Sequence, residues 1–356
     1  MSQILHAHAA PPAVPLVDLL ERAFSEAGLG ALDRAGVANR VPRSAWEAAL
    51  LGPARALLSR PGKGFRESLV RLCWSIAGGR GQMPPVLPLI VEIIHAGSLV
   101  IDDVEDDSSL RRGGACLHRL YGVPIAINVG NWMYFWALDL VGGLGLPDDR
   151  AAALQRALTQ GMFRCHFGQA LDLSRPVGRI PQGEMAAIVD AATALKTGAL
   201  MELAARAGAI AAGAAPATTQ ALARFGGSLG RGLQMLDDLG NIGPVADGDA
   251  NPKRHEDLRL GRATWPWAWA ADALDEISFA ALQADARVVH AQAAAGRPAA
   301  TEALAASLRS ALGVQGRRLA RRELARGVGE LARAVGPRPE IPHITAEIAR
   351  LEASYG

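Results

Sequence analysis

Residues 95–113 read HAGSLVIDDVEDDSSLRRG, and the period of that run decides the fold class. Small and aliphatic residues from Ala96 to Ile101 lead into five acidic residues within the six positions Asp102–Asp107, with Arg111 and Arg112 just beyond. A half-buried strand would alternate apolar and polar residues, which this run does not do. On a helix Asp102 and Asp106 are four apart and Asp103 and Asp106 three apart, so these carboxylates share a face. A solvated helix face tolerates such charge. So does a site for a hard cation: Mg²⁺ binds through one or two carboxylates and fills its shell with water and phosphate oxygens. The bidentate guanidinium groups of Arg111 and Arg112 suit the same phosphates.

Outward from this run, almost every segment longer than about ten residues has the helical period. The pattern predicts a first helix over about 16–26 and a second from SAWE, where Ser44 and Glu47 have the spacing of a capping box. RPGKGF, residues 60–65, breaks the pattern. Further helices are expected over about 84–109, 124–142, 148–173, 181–212 and 217–240. Residues 241–262, NIGPVADGDANPKRHEDLRLGR, have the Gly, Pro, Asp and Asn content of a long loop. Helical pattern then returns to the end, broken near 296 and at GPRPEIPH. The expectation is an all-α protein: a partly helical N-terminal extension over 1–45 and one large helical domain over 46–356, its helices lining a central cavity.

Bulk properties narrow the function. The 356 residues are half apolar and carry a formal net charge of +2, with basic residues scattered rather than massed, so no nucleic-acid partner is expected. Cys73, Cys116 and Cys165 lie far apart with no CxxC spacing, which disfavours disulfides and zinc and fits a reducing cytoplasm. The N-terminus has no basic region ahead of an apolar run, and no stretch approaches the roughly 20 apolar residues of a membrane span.

A second acidic pair changes the weight of the first. GLQMLDDLGN ends a helix with Asp237 and Asp238, with Gln234 one turn before and Asn241 one turn after, and Lys253, Arg254, Arg259 and Arg262 follow in the loop. Two helices ending in paired aspartates near cations read as two walls of one metal and diphosphate site. Between them, ALKTGAL sets Lys196 and Thr197 in an apolar helix, where a lone lysine ordinarily snorkels to solvent. CHFGQALDL puts His166, Gln169 and Asp172 on a helix with Gly168, a pattern that a packed polar pair would explain equally well. RPGKGFR offers Lys63 and Arg66 at a loop-to-helix junction, a weak anion-binding motif without P-loop spacing.

In chain order, PGKGFR, HAGSLVIDDVEDDSSLRRG, HRLYGVPIAINVGNW, CHFGQALDL, LKTGAL, LQMLDDLGN and EDLRLGRATWP resemble the trans-isoprenyl diphosphate synthases, or polyprenyl synthetases, over about residues 60–267. IDDVEDDSSLRRG, INVGNWMYF and the Asn of DDLGN are most similar to the geranylgeranyl diphosphate synthase branch. The resemblance implies an isoprenoid-synthase-type helical bundle and a Mg²⁺-dependent head-to-tail condensation of isopentenyl diphosphate with an allylic diphosphate: dimethylallyl, geranyl or farnesyl. It implies metal ligands at Asp102, Asp103, Asp106 and Asp237, with Asp238 close by. Arg111, Lys196, Lys253 and Arg262 would hold the allylic diphosphate, with Gln234 beside it. Gly62, Lys63, Arg66, His95 and Arg112 would hold isopentenyl diphosphate. Thr197 and Gln169 would face the cation. A homodimer is implied as well.

Departures from the family pattern are Asn241 for a third aspartate, Arg262 for lysine and Gly64 for arginine. One helical turn is about 5.4 Å, which sets Ser98 directly under Asp102 with Gly97 beside it. Both are small, and the resemblance implies that a growing tail passes them and stops on NWMYFWALDL, at Tyr134 and Phe135 with Trp132 and Trp136 near, joined by His166. A C20 product is expected. The alternatives are a farnesyl or C25 synthase, a terpene synthase on the same fold, and a silent partner subunit, which would tend to lose the aspartates.

Overall fold

The computed structural model describes residues 15–33, 35–62, 64–244 and 254–353. Of the described residues 79% are helical, the all-α class read from the periodicity. By internal contacts the chain forms two compact units, Met1–Arg156 with Ala207–Ala214, and Ala157–Arg206 with Ala215–Gly356.

The first unit contains α1 (Leu16–Ala23), α2 (Glu26–Leu32), α3 (Arg43–Trp46), α4 (Gly52–Leu58), α5 (Phe65–Ile76), α6 (Leu87–Glu105), the strands β1 (Leu110–Arg111) and β2 (Gly114–Ala115), α7 (Leu117–Tyr121) and α8 (Val123–Asp139). Helix α6 is the apolar run that precedes the acidic cluster. Its Ile90, Val91, Ile93, Ile94 and Val100 are buried, and it packs on α5 and α8. The α6–α8 crossing is close because both helices present glycine: a Cβ on Gly97 would meet the Gly130 carbonyl oxygen at 2.8 Å, and one on Gly130 would meet Ile101 Cδ1 at 2.8 Å. The smallness of Gly97 therefore serves helix packing.

Local signals explain where the helices differ from expectation. The first ends at Ala23 rather than near 26, because the Ser25 side chain accepts from the Gly28 amide and caps α2. The second starts at Arg43 with Pro42 before it, and Ser44 does not cap it. Glu47, the expected partner in that capping box, lies in a π-helical turn, Glu47–Leu51, and pairs with Arg55. Trp132 and Trp136 stack with centroids 4.9 Å apart, and Phe24 lies 5.6 Å from Trp132. Trp132 thus fastens Phe24, the residue that ends α1, to α8, and Trp136 stacks behind it.

The second unit holds α10 (Gln182–Thr193), a π-helical turn (Ala194–Gly198), α12 (Pro216–Asn241), α13 (Glu256–Leu260), α14 (Trp265–Ala273), α15 (Glu276–Ala294), α16 (Thr301–Leu312), α17 (Gln315–Val335) and α18 (Glu340–Ala353). The unit boundary falls within α9 (Asp148–Ser174) and α11 (Ala199–Ala212). Helix α12 begins with proline in its first turn, where no intrahelical hydrogen bond is lost, and packs along α17 with Gly232 under Leu324. The expected loop over 241–262 contains the short α13. Two C-terminal breaks escaped the pattern: Asp275 caps α15 through the Ser278 amide at 2.9 Å, and Gly313 ends α16 at φ 53°. No helix among the described residues is long and apolar enough to cross a membrane.

Candidate functional site

In the first unit the acidic cluster closes α6, and a hairpin absent from the sequence reading follows it. Register pairs Leu110 with Ala115 and Arg111 with Gly114, leaving a two-residue loop of Arg112 and Gly113. In the type I′ form of such a loop, which twists with its strands, both residues take positive φ. Arg112 has φ 49° and Gly113 φ 76°. A side chain held in this left-handed region costs about 1–3 kcal/mol, a strain that concentrates at functional sites. The consequence is that two adjacent arginines part company.

Arg111 turns to the aspartates. Its Nε donates to Asp103 Oδ1 at 2.7 Å, and its Nη2 lies 3.4 Å from Asp102 Oδ2. Burial works against the Arg111 charge, but the hydrogen bond to Asp103 and the fields of both carboxylates hold its pKa above the ordinary arginine value. Arg112 turns the other way: a Cβ on Gly62 would stand 3.3 Å from its guanidinium carbon. Burial lowers the Arg112 pKa; the Glu92 carboxylate offsets this, and Arg111 and Arg60 add to it. Arg60 braces the hairpin, donating to the Arg111 carbonyl at 2.8 Å and the Ala115 carbonyl at 2.9 Å. Sequence reading missed Arg60, although it adjoins PGKGFR. His95 completes the group. Burial, then the fields of Arg66, Arg112 and Arg111, hold its imidazole well below the usual histidine range, so it is neutral among cations. Lys63 lies outside the described residues.

Asp102 and Asp106 are partly exposed, whereas Asp103 is only 3% exposed. Asp107 pairs with Arg119 at 2.6 Å, and Ser108 is buried. Ser98 donates to the His95 carbonyl at 2.8 Å. Tyr134 reaches the spot where a Gly97 side chain would be, its Cε1 3.3 Å from that Cβ. Phe135, also expected to stop the tail, is 70% exposed.

In the second unit the organising feature is the π-helical turn Ala194–Gly198, the kind of distortion often found at functional sites. Glycines on both neighbours let it sit close. A Cβ on Gly168 of α9 would stand 2.7 Å from the Leu195 carbonyl carbon, and one on Gly230 of α12 would meet the Thr197 carbonyl oxygen at 2.8 Å. The turn aims Lys196 Nζ at Asp172 Oδ2, 2.9 Å away, so this lysine is ion-paired rather than snorkelling. Thr197 Oγ1 donates to Gln234 Oε1 at 2.7 Å, Gln234 Nε2 donates to Asp238 Oδ1 at 2.8 Å, and the Trp265 amide donates to Asp238 Oδ2 at 2.9 Å. Arg262 donates to the Asp172 carbonyl at 2.9 Å. Gln169 is partly buried and His166 exposed on α9. Lys253 lies outside the described residues.

Asp237 is exposed and Asp238 is 3% exposed. Burial pushes the Asp238 carboxyl up to about 7 against its two hydrogen bonds. Asp257, which sequence reading did not single out, shares this field: burial and the charges of Asp238, Asp237 and Asp172 hold its pKa well above the carboxylate range. The two acidic pairs are thus alike. Each has one outward aspartate, Asp102 or Asp237, and one buried aspartate held by protein donors, Asp103 by Arg111 and Asp238 by Gln234 and Trp265. For the first pair that differs from the expectation that Asp103 holds a metal beside Asp102. Among the described residues no three His, Cys, Asp or Glu side chains converge to hold an ion by themselves. All-oxygen donors in ones and twos fit Mg²⁺ that arrives with phosphate oxygens and water.

The polyprenyl synthetase family model matches residues 47–293. The chain is 37% identical over 129 residues to a geranylgeranyl pyrophosphate synthase of Eremothecium gossypii, covering 36% of this chain and 40% of that protein. It is 31% identical over 224 residues to geranylgeranyl pyrophosphate synthase 2 of Zymoseptoria tritici, covering 62% and 64%. The matches thus span between 40% and 64% of those relatives' own length. A solved polyprenyl synthase from Caulobacter crescentus CB15, complexed with calcium and isoprenyl diphosphate, has the same fold, with TM-score 0.69 and 23% identity over 97% of this chain and 99% of that one. The family model covers well over half the chain, and this protein belongs to the polyprenyl synthetase family.

Proposed function

We propose that this protein condenses isopentenyl diphosphate head to tail with an allylic diphosphate and that its product is geranylgeranyl diphosphate. The observation that carries the reading is the parting of Arg111 and Arg112 across the hairpin turn. One guanidinium joins carboxylates and the other joins Gly62 and the cationic group around His95, as two separate diphosphates would require. A terpene synthase has no use for the second group.

In this reading Arg112, Arg66, His95, Gly62 and Lys63 hold isopentenyl diphosphate without metal. Arg111, Lys196, Lys253 and Arg262 hold the allylic diphosphate. Asp102, Asp106 and Asp237 carry Mg²⁺, with Asp103 and Asp238 as their buried neighbours; the relative from Caulobacter crescentus with calcium and isoprenyl diphosphate supports a divalent ion. Mg²⁺ supplies positive charge to the departing diphosphate. The C1 to diphosphate bond breaks, the isopentenyl double bond attacks C1, and the released diphosphate takes the proton. Thr197 and Gln169 turn oxygen dipoles to the cation without bonding to it, and Gln234 accepts the Thr197 proton. Tyr134, against Gly97, ends the tail.

A homodimer is part of the proposal. Val123, Ile127 and Phe135 lie on one face of α8 at helical spacing and are 45%, 40% and 70% exposed, an apolar stripe that a second copy would cover. The test is incubation with labelled isopentenyl diphosphate, Mg²⁺ and each of dimethylallyl, geranyl and farnesyl diphosphate, with chromatography before and after phosphatase. A C20 diphosphate is expected. A C15 or C25 end product would overturn the chain length, and hydrocarbon formed from an allylic diphosphate alone would favour a terpene synthase.

A further inference from the structure

We propose that Asp238 is a positioning residue that sets the polarity of the Thr197 hydroxyl, presenting its oxygen lone pairs to the reacting carbon. The inference rests on the proposed condensation and concerns how one hydrogen-bonded chain in the second unit serves it.

The chain runs Trp265 N, Asp238, Gln234, Thr197, with donor–acceptor distances of 2.9, 2.8 and 2.7 Å. Its direction follows from the two donors that meet at Asp238. The Trp265 amide and the Gln234 amide nitrogen can only donate, and they point at Asp238 Oδ2 and Oδ1. Both carboxyl oxygens therefore accept, and Gln234 is left with Oε1 toward Thr197. An amide oxygen cannot donate, so the Thr197 hydroxyl proton goes to Gln234. Both lone pairs of Oγ1 are left for whatever lies beyond, and the negative end of the hydroxyl dipole faces it. A carbon gaining positive charge is stabilised by that orientation and destabilised by its reverse. The surroundings hold the setting: Asp238 is 3% exposed, and Gly230 brings α12 against the Thr197 backbone.

Asp238→Asn changes the polarity with almost no change in shape. The Asn oxygen still accepts from Trp265, but its NH₂ now faces Gln234. The Gln234 amide flips to offer oxygen there, its NH₂ turns to Thr197, and the hydroxyl proton is released outward. A metal ligand and a positioning residue then differ in what they move. The positioning role predicts a fall in kcat of about tenfold or more, with the KM of both diphosphates and the Mg²⁺ dependence as in wild type, since only the transition state is affected.

The experiment is a double-mutant cycle of Asp238→Asn with Thr197→Val, using purified full-length protein, Mg²⁺, labelled isopentenyl diphosphate and the allylic primer that wild type elongates. Asp238→Asn is expected to cost nothing further once Thr197→Val is present, because both act through one hydroxyl. Additive losses would overturn the inference. So would a higher Mg²⁺ requirement in Asp238→Asn like that of Asp237→Asn. If Asp238→Asn does not fold by circular dichroism, Gln234→Leu, which cuts the same chain in the middle, takes its place in the cycle under the same criteria. Wild-type protein that elongates no primer would overturn the proposed condensation, and this inference with it. An active wild type with additive losses would overturn the inference alone.

Discussion

Gly168 of α9 lies so close to the π-helical turn that a Cβ would stand 2.7 Å from the carbonyl carbon of Leu195, beside Lys196. The contact is backbone, which cannot swing aside as a side chain would. Gly168→Ala is predicted to destabilise the protein by about 1–3 kcal/mol, the usual cost of overpacking, and to loosen the Lys196 to Asp172 ion pair. Urea unfolding followed by circular dichroism measures the first. A midpoint equal to wild type would show that the turn yields freely.

Tyr134 and Phe135 are neighbours in sequence with opposite surroundings, one against Gly97 and one 70% exposed. Tyr134→Ala is predicted to shift the product to C25 and longer, and Phe135→Ala to leave product length unchanged. Chain length of the dephosphorylated product separates them. Lengthening by Phe135→Ala would return it to the tail-stopping role read from the sequence.

Arg111 is the partner of Asp103, a carboxylate 3% exposed. Removing one member of a buried pair leaves the other charge stranded, which costs about 3 kcal/mol. Arg111→Ala is predicted to lose that much in equilibrium unfolding, and Asp103→Asn with Arg111→Met together to lose less than Arg111→Ala alone. Equal losses would show that the pair is too well solvated to matter.

His95 gives a pH signature. Its folded pKa is depressed by burial and by Arg66, Arg112 and Arg111, while in the unfolded chain it titrates near about 6.5. Below that value the unfolded state binds a proton that the folded state refuses, so stability present above about 6.5 is lost as pH falls through the folded value. Wild type is predicted to lose melting temperature from about pH 7 to about pH 5 more steeply than His95→Asn. Parallel slopes would show that His95 takes its proton in the folded state.

Much of the site was legible because its signals are local. Paired aspartates at helix ends and a lysine in an apolar helix are readable from spacing, and the helix placements follow from the apolar period. What escaped depends on geometry that spacing does not carry. The hairpin has two residues per strand, too few to alternate, so the turn that separates Arg111 from Arg112 showed only as RRGG. Burial divided Asp102 from Asp103 and Asp237 from Asp238, although each pair is adjacent in sequence. The aromatic density of α8 read as one wall, and packing assigned Trp132 and Trp136 to Phe24 and Tyr134 to Gly97.

Mass spectrometry of the reaction of isopentenyl diphosphate with each allylic diphosphate tests the central claim most directly, with and without Mg²⁺. The account predicts a diphosphate longer than its primer by five-carbon units, formed only when Mg²⁺ is present. Primers recovered unchanged from all of the Mg²⁺ reactions would contradict it.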